Sequence, residues 1–258
     1  MRAYLSRWVS LEVESNLVRC AKESEAAAAA GAELVVFPES FLHGYHQQVP
    51  PERVRALFAE ISARHRETTF VFGSFTEDRR NRMTVWREGR EAARYDKVHL
   101  FALHKEHELW QAGDRYAAVR LGGWTMGLLN CYDLRFPEQA RILRLATGCS
   151  ALVVVAWWPA RREVPWRALL QARAMENGVW VLGCCVTAAH WQGRDFAGAG
   201  NFVFDPNGEE VPVHPDGLYL VTPEVPVQPA VDSTADYRSV SELELFAGTG
   251  SSVLTVPD

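Results

Sequence analysis

The sequence predicts a single-domain α/β protein. Short apolar runs rich in β-branched residues alternate with longer stretches of helical periodicity, which is the pattern of this fold class. The chain has 258 residues, of which 48% are hydrophobic, so it is long enough to bury one large core. Lys and Arg total 27 against 32 Asp and Glu, a formal charge of −5 that provides no basic surface for nucleic acid or an anionic membrane. These observations favour a protein that binds a small molecule.

The first half of the chain predicts strands and helices in alternation. Residues 2–9 are predicted as a strand and residues 14–30 as a helix, because Leu17, Val18 and Ala21 recur at three- and four-residue spacing. Gly31 ends this helix. The following predicted elements are a strand at 34–37, a helix at 51–66, a strand at 69–74, a polar turn at 77–82 and a hairpin partner at 83–87.

The second half repeats the alternation and then changes character. Pro165 opens a long helix because proline is tolerated in a first turn, and the Pro-Asn-Gly turn at 206–208 predicts a hairpin. The predicted elements are a strand at 124–129, a helix at 137–147, a strand at 152–156, a helix at 165–177, a strand at 179–186, hairpin strands at 201–205 and 210–213, and a strand at 218–222. Residues 223–258 contain four of the 13 prolines and little periodicity. We therefore predict a domain at 1–222 and a C-terminal arm at 223–258 that packs on this domain or on a second subunit.

The cysteines and the apolar segments indicate where the protein is found. The five cysteines are an odd number, and none of their spacings is a Cys-x-x-Cys metal or redox pair. The N-terminal segment meets acidic residues before any apolar stretch of signal-peptide length. Because no segment reaches the roughly 18 apolar residues of a membrane helix, we expect a cytoplasmic protein with reduced thiols and no membrane partner.

Cys131 lies where an apolar strand ends and a helical segment follows. The chain must turn at this thiol and can present it at the carboxyl edge of a sheet, where ligand sites of α/β proteins lie. Backbone N–H groups just after such a turn can receive an oxyanion. Cys131 is therefore a candidate nucleophile, although a free cysteine that only fills space in the core is the common alternative.

Two other polar residues adjoin apolar strands. Glu39 directly follows the apolar run at 35–37, so its carboxylate can act as a general base in a cleft or remain a solvated loop residue. Lys97 lies beside apolar residues, where it can stabilise developing negative charge or simply pair with Asp96 at the surface. Neither residue identifies a site by itself.

Taken together, the three segments resemble the nitrilase superfamily of carbon–nitrogen hydrolases. The matching motifs are Phe-Pro-Glu ending at Glu39, Lys-x-His-Leu-Phe beginning at Lys97 and Cys-Tyr-Asp-x-Arg-Phe-Pro-Glu beginning at Cys131, and they occur in the order found in the family. The resemblance extends to about residue 222. It implies a four-layer αββα sandwich, a homodimer and hydrolysis of a non-peptide C–N bond without a cofactor. It also implies that Cys131 is the nucleophile and Glu39 the general base, while Lys97 and the Tyr132 backbone N–H stabilise the tetrahedral intermediate.

The family commonly has a second glutamate between the lysine and a Gly-Asp pair. Glu106 and Glu108 both precede Gly113 in this sequence, and the family spacing favours Glu106, with Glu108 as the alternative. His104 and His107 flank these carboxylates. We interpret this run as exposed polar residues and expect no metal, because no further ligand stands at metal-binding spacing.

Residues 156–161 and 166–177 resemble the segment that bounds the substrate pocket in omega-amidase-like members. Those enzymes hydrolyse the terminal amide of short 2-oxo dicarboxylic acid monoamides. The resemblance points to Arg135 as the residue that grips the substrate carboxylate, with His99 as a second candidate cation. Arg135 could instead form a structural ion pair with Asp133 or Glu138. The remaining candidate substrate contacts are Tyr132, Trp157 and Tyr45.

The sequence leaves three alternatives to an omega-amidase-like function open. Trp157 occupies a position where omega-amidase-like members usually have asparagine, and the loop at 41–45 looks more like that of members acting on carbamoyl or aliphatic amides. An N-carbamoyl hydrolase and a nitrilase are therefore alternatives within the family. A catalytically silent binding or scaffold protein of the same fold is the alternative from a different class.

Overall fold

The computed structural model describes residues 1–45, 47–191, 194–222 and 254–256. The helices are α1 (Val13–Ala29), α2 (Pro51–Arg64), α3 (Glu106–Leu109), α4 (Pro137–Thr147) and α5 (Glu163–Asn177). The strands are β1 (Arg2–Leu5), β2 (Val9–Ser10), β3 (Leu34–Val36), β4 (Thr69–Glu77), β5 (Arg80–Arg87), β6 (Arg90–Asp96), β7 (Ala117–Leu121), β8 (Trp124–Asn130), β9 (Ala151–Ala156), β10 (Trp180–Cys185), β11 (Ala188–Trp191), β12 (Arg194–Ala197), β13 (Phe202–Phe204), β14 (Tyr219–Leu220) and β15 (Leu254–Val256).

Two six-stranded sheets form the centre of the molecule. Their strand orders are β14-β1-β3-β4-β5-β6 and β13-β10-β9-β8-β7-β15. One buried apolar cluster contains residues of both sheets, so the sheets pack face to face. A second cluster joins the other face of the first sheet to α1 and α2, and a third joins the second sheet to α4 and α5. This arrangement confirms the α/β class and the four-layer αββα sandwich.

Parallel pairing within each sheet determines where the loops meet. β3 pairs in parallel with β1 and β4, and β9 pairs in parallel with β8 and β10. Loops that leave the carboxyl ends of parallel strands gather at one edge of a sheet. The loops after β3, β8 and β9 therefore come together at one end of the sandwich.

The first predicted strand, residues 2–9, is interrupted in the structure. β1 ends at Leu5 and β2 begins at Val9, because Trp8 turns into the core, where its indole N–H donates to the Phe41 carbonyl at 2.7 Å. The predicted hairpin at 201–213 forms only in part, because the chain reverses as expected and the Val211 N–H donates to the Val203 carbonyl at 2.8 Å, but the second arm is not a strand. β13 pairs with β10, and only an isolated bridge joins Phe204 to Glu210.

The predicted arm at 223–258 lies outside the described residues except for β15. β15 pairs in parallel with β7 at the edge of the second sheet. All five cysteines of the chain are free. Within the described ranges, every helix is too short or too polar to cross a membrane.

We expect Gly73→Ala to destabilise the fold near the loop after β3. A Cβ at position 73 would lie 1.8 Å from the Pro38 carbonyl oxygen, so the backbone of one segment would have to move. Since overpacking costs roughly 1–3 kcal/mol even where side chains can adjust, we expect a loss of about 3 kcal/mol or more in the free energy of unfolding. Urea denaturation followed by circular dichroism measures it.

Gly122→Ala is the matched control for this substitution. No atom lies within 4 Å of a Cβ at position 122, but the φ angle of 54° is left-handed. The control should therefore lose only the roughly 1–2 kcal/mol of a non-glycine residue in that conformation. Equal losses in the two variants would contradict the crowding argument.

Candidate active site

Cys131 occupies a sharp turn at the end of β8. Its φ angle is 52°, a left-handed conformation that is uncommon for a residue with a side chain and that is often found at functional sites. The Asn130 backbone N–H donates to Asp133 Oδ2 at 2.9 Å and holds the turn. Cys131 is 8% exposed and lines a cavity of about 860 Å³. The thiol is therefore nearly buried but accessible from the cavity.

Glu39 lies in the loop after β3 and is fully buried. Its Oε1 accepts hydrogen bonds from Lys97 Nζ at 2.8 Å and from Asn81 Nδ2 at 2.9 Å. Its Oε2 accepts one from the Trp157 backbone N–H at 3.0 Å. Of these three donors among the described residues, two bind Oε1 and one binds Oε2, so Oε2 is the better placed oxygen to receive a further proton.

Lys97 follows β6 and has no exposed surface. Its backbone N–H donates to the Asn81 carbonyl at 3.0 Å, and its own carbonyl accepts from the Gly113 N–H at 2.8 Å. The ammonium group contacts Glu39 at 2.8 Å and Glu106 Oε1 at 3.0 Å. The buried ammonium is thus paired with two buried carboxylates, so each of the three charged groups has an oppositely charged partner away from water.

Glu106 is the glutamate that the structure brings to Lys97. It begins α3 directly after Lys105, and its Oε2 accepts the Phe101 backbone N–H at 2.8 Å. The Tyr45 hydroxyl donates to Glu106 Oε1 at 3.4 Å. The side chain of Glu108 is 57% exposed and pairs with Lys105 at 3.2 Å. The choice between the two glutamates follows from burial, since only Glu106 turns inward.

The electrostatic environment favours a protonated thiol and a charged lysine. Burial raises the pKa of Cys131 well above its usual value, the Glu39 carboxylate raises it further, and Lys97 partly offsets both effects. Burial lowers the pKa of Lys97, but the charges of Glu39 and Glu106 outweigh this effect and leave the pKa raised. Burial also raises the pKa of Glu106, with Lys97 acting against it. A nearby base is therefore needed to take the thiol proton during a reaction.

Aromatic side chains form much of the cavity wall. Tyr45 packs edge-on against Trp157 with ring centroids 5.6 Å apart, and both residues line the cavity together with Tyr132. Arg135 also lines the cavity, and its guanidinium lies 5.0 Å from the centroid of the Trp158 ring. Arg135 forms no ion pair with a carboxylate of the described residues, so the structural pairing considered from the sequence is absent there.

Glu39, Lys97 and His99 do not line the cavity themselves. Glu39 and Lys97 join it through Glu106, which does line it, whereas His99 makes its contacts elsewhere. Its Nδ1 and its backbone N–H both lie 2.9 Å from Asp133 Oδ1, and its ring stacks on Phe136 at 3.8 Å. Asp133 is buried and also accepts the Tyr95 hydroxyl at 2.7 Å. The expectation that His99 is a substrate-binding cation is corrected, because these contacts direct its ring to the turn that carries Cys131.

Sequence reasoning missed two buried residues near the site. Asn81 joins Glu39 to the segment before the thiol, because its Oδ1 accepts Asn130 Nδ2 at 3.1 Å while its Nδ2 donates to Glu39. His43 lines the cavity, accepts the Thr76 N–H on Nε2 at 3.0 Å and donates from Nδ1 to the Gly44 carbonyl. Burial lowers the pKa of His43 to about 4, so it is neutral at physiological pH. Asn81 stood in a predicted polar turn, where nothing in the local pattern signals burial.

The two histidines beside the glutamates have different surroundings. His104 lines the cavity and packs against Phe101 with ring centroids 5.0 Å apart, whereas His107 does not line it. Over the described ranges, no three His, Cys, Asp or Glu side chains are grouped so that they could share a metal ion.

Comparisons with known proteins agree with this geometry. The carbon–nitrogen hydrolase family matches residues 3–219. The omega-amidase YafV of Escherichia coli K12 is 32% identical over 195 residues, which cover 69% of this chain and 71% of that protein. The deaminated glutathione amidase of Synechocystis is 29% identical over 235 residues, which cover 81% and 86%.

A solved structure of similar fold contains an active-site cysteine that has been modified covalently. It is an amidase of the nitrilase superfamily from Nesterenkonia, with a TM-score of 0.75 and 26% identity, covering 93% of this chain and 96% of that one. In that protein the acetamide moiety of fluoroacetamide is covalently added at the active-site cysteine. The chain described here belongs to the carbon–nitrogen hydrolase family of the nitrilase superfamily.

Proposed function

We propose that this carbon–nitrogen hydrolase is a cysteine-dependent amidase that cleaves the terminal amide of a short carboxylated substrate and releases ammonia. The observation that carries the proposal is the contact of Lys97 with two fully buried carboxylates beside a cavity lined by Cys131. A scaffold protein has no need for a buried charged trio next to an accessible thiol. The match to an omega-amidase supports the substrate class.

In the first half of the reaction, Cys131 Sγ attacks the amide carbonyl as Glu39 Oε2 takes the thiol proton. The carbonyl oxygen becomes an oxyanion, which the Lys97 ammonium and the Tyr132 backbone N–H stabilise. The C–N bond then breaks, and Glu39 returns the proton to the departing nitrogen. This half-reaction yields ammonia and a thioester at Cys131.

In the second half, water attacks the thioester carbonyl and gives a proton to the same carboxylate. The C–S bond breaks, the acid leaves, and Glu39 passes the proton back to the sulfur of Cys131. Neither half-reaction changes an oxidation state, so no cofactor is required. Cys131 and Glu39 therefore act in both half-reactions.

The substrate carboxylate is assigned to Arg135. Its guanidinium lies on the cavity wall over Trp158 and is free of described carboxylates, so its planar fork can bind a carboxylate in bidentate fashion. The rings of Trp157 and Tyr45, packed edge-on, form another part of the cavity wall. A small amide with an acidic end fits this combination of one cation and aromatic walls.

Ammonia release from a panel of amides tests the proposal. The panel contains 2-oxoglutaramate, 2-oxosuccinamate, simple aliphatic amides, carbamoyl compounds and nitriles. We expect turnover of the oxo-acid amides, with loss of turnover in Cys131→Ala and a mass adduct at Cys131 after treatment with an electrophilic amide analogue.

Other results would redirect or overturn the assignment. Carbon dioxide released along with ammonia would favour an N-carbamoyl hydrolase, and turnover of nitriles alone would favour a nitrilase. An inert protein whose thiol forms no adduct would favour the silent scaffold.

We expect Glu106→Gln to lower kcat/KM for the amide by about 10²-fold, within the range of a positioned acid–base or electrostatic group. The change removes one charge from Lys97 and alters the cation's position relative to Glu39. Glu108→Gln is the control, because that side chain is exposed and pairs only with Lys105 among the described residues. The two variants are compared by steady-state ammonia release. A larger defect in Glu108→Gln would reverse the assignment of the second glutamate.

The homodimer and the cytoplasmic location stay predictions. We expect helices near Cys131 and the arm at 223–258 to lie at the dimer interface. Light scattering at micromolar concentration measures the mass of the assembly. A mass near 29.0 kDa, that of one chain, would contradict the dimer.

A further inference from the structure

Two arginines besides Arg135 line the cavity. Arg161 is exposed and Arg162 is half-buried, and both follow β9 in the turn that leads into α5. Neither forms an ion pair with a carboxylate of the described residues. Arginines that lack acidic partners at a cavity wall are available to a ligand anion. The amidase mechanism proposed above uses neither of them.

The three arginines all belong to the cavity wall, and Trp158 contacts two of them. Arg135 lies over the Trp158 ring, and Trp158 Nε1 donates to the Arg162 carbonyl at 2.8 Å. His104 lies two residues before Glu106, and the charges of Arg161 and Arg162 act on its side chain. Burial lowers the pKa of His104, and both arginines lower it further. The guanidinium groups of Arg135, Arg161 and Arg162, three residues of the cavity wall, are together named the positive arc.

The acidic groups near this arc are already engaged. Glu108 pairs with Lys105 at 3.2 Å, and Asp195 lies 2.7 Å from His190 Nδ1. Glu163, next to Arg162 in the chain, accepts the Gly200 backbone N–H at 2.7 Å. The positive arc thus stands out on a chain whose formal charge is −5. A positive potential of this kind at a cavity selects anionic ligands.

The size of the cavity also exceeds what one short amide requires. A five-carbon oxo-acid amide has about ten non-hydrogen atoms and fills about 300 Å³ at the roughly 30 Å³ that one water occupies in the liquid. The cavity measures about 860 Å³. Arg161 and Arg162 are among the residues that line this larger cavity.

We infer that the substrate carries a second carboxylate, which Arg161 and Arg162 bind while Arg135 binds the first. This inference rests on the proposed amidase function and narrows it to amides of acids with two free carboxylates. Guanidinium–carboxylate contacts are charge-assisted hydrogen bonds, and each contributes enough to change affinity by roughly tenfold or more. The arc therefore acts as a specificity site and takes no part in bond breaking.

The test measures how well inert acids protect Cys131 of the full-length protein from alkylation by iodoacetamide, a neutral thiol reagent. The probes are dicarboxylates of four, six and eight carbons and the monocarboxylates of the same lengths. We expect at least one dicarboxylate to give half-protection at a concentration ten or more times lower than its matched monocarboxylate. The preference should shrink as salt is added, because ions screen exposed charges.

Substitution of the arc completes the test. Arg161→Gln/Arg162→Gln should reduce the preference for dicarboxylates to less than twofold, and each single variant should reduce it in part. Arg167→Gln is the control, since that arginine is an exposed residue of α5 that pairs with Glu210 outside the cavity. The alkylation rate without any acid shows whether each variant retains the site.

Two results would overturn the inference. One is equal protection of the unmodified protein by matched mono- and dicarboxylates, and the other is a preference that survives in the double variant. Both readouts are independent of turnover. Absence of ammonia release from every amide would refute the amidase proposal, whereas cleavage of short amides without a dicarboxylate preference would refute the second anion site alone.

Discussion

Replacing Lys97 by Met is expected to lower the free energy of unfolding by about 3–5 kcal/mol at pH 8, the usual effect of removing one partner from a buried ion pair. Methionine has a similar length and leaves no large void. The loss arises because Glu39 and Glu106 keep their charges in the interior without the ammonium that contacts both of them. Urea unfolding of the variant and the unmodified protein measures the difference.

The loss should be smaller at pH 5 than at pH 8. Without the cation, burial and the charge of Glu39 raise the pKa of Glu106 further in the folded state, while in the unfolded chain a glutamate titrates near 4.3. Between these pKa values the folded variant holds protons that the unfolded chain releases. The stability of the variant therefore falls as the pH rises through this interval, and it is recovered on acidification.

A second substitution separates this mechanism from a packing defect. Lys97→Met/Glu106→Gln removes one of the two unpaired charges, so it should regain a substantial part of the lost stability. A loss that is the same at both pH values and in both variants would point to packing and contradict the electrostatic explanation.

The residues that carry the chemistry were predictable because their signals are local. Glu39 and Cys131 each follow a short apolar strand, and the ends of parallel strands gather at one edge of a sheet. Lys97 was recognisable only from its motif, since nothing in composition distinguishes it from a surface lysine. The order of the three motifs predicted that Glu39, Lys97 and Cys131 belong to one site. The structure adds the contacts of Lys97 with Glu39 and Glu106.

The contacts that complete the site could not be predicted in this way. The side chain of Asn81 donates to Glu39, which lies 42 positions away in the sequence. The segment around Asn81 was predicted as a polar turn. His99 belongs to the motif that begins at Lys97, and an imidazole was a reasonable candidate to bind a substrate carboxylate. Its pairing with Asp133 is a tertiary contact that the motif does not predict. Hydrogen bonds between distant segments depend on the register of sheets, which periodicity leaves undetermined.

In the fold, too, the elements with a local sequence signal were predicted, and features that depend on distant segments were not. The predicted helix at 14–30 agrees with α1 within one residue at each end, because amphipathic spacing and Gly31 are local signals. β6 was missed because Arg90–Asp96 contains four charged residues and lacks an apolar run. The Pro-Asn-Gly turn correctly predicted a reversal after β13, but it did not predict that β10 is the strand that pairs with β13 along its length.

Glu39→Gln is expected to lower kcat/KM for amide hydrolysis by about 10³-fold, within the 10²–10⁴ range of a positioned general base. An amide side chain can still accept from Lys97 and Asn81 but cannot take a proton. The substitution removes one of the charges that raise the pKa of Cys131, but burial, the largest cause, remains, so the thiol stays protonated at neutral pH and attack becomes slow. Ammonia release and the rate of Cys131 alkylation by iodoacetamide measure the two consequences.

The pH dependence of the residual reaction identifies the role of the carboxylate. In Glu39→Gln, alkylation depends on thiolate formed by simple ionisation, and below the raised pKa of Cys131 this fraction grows tenfold for each pH unit. We therefore expect the variant's alkylation rate to climb steadily from pH 6 to pH 9. Glu60→Gln is the control, because that carboxylate is 58% exposed and pairs with Arg64 on the surface. If the variant kept more than a tenth of the activity, or if its profile ran parallel to that of the control, Glu39 would not be the base that activates Cys131.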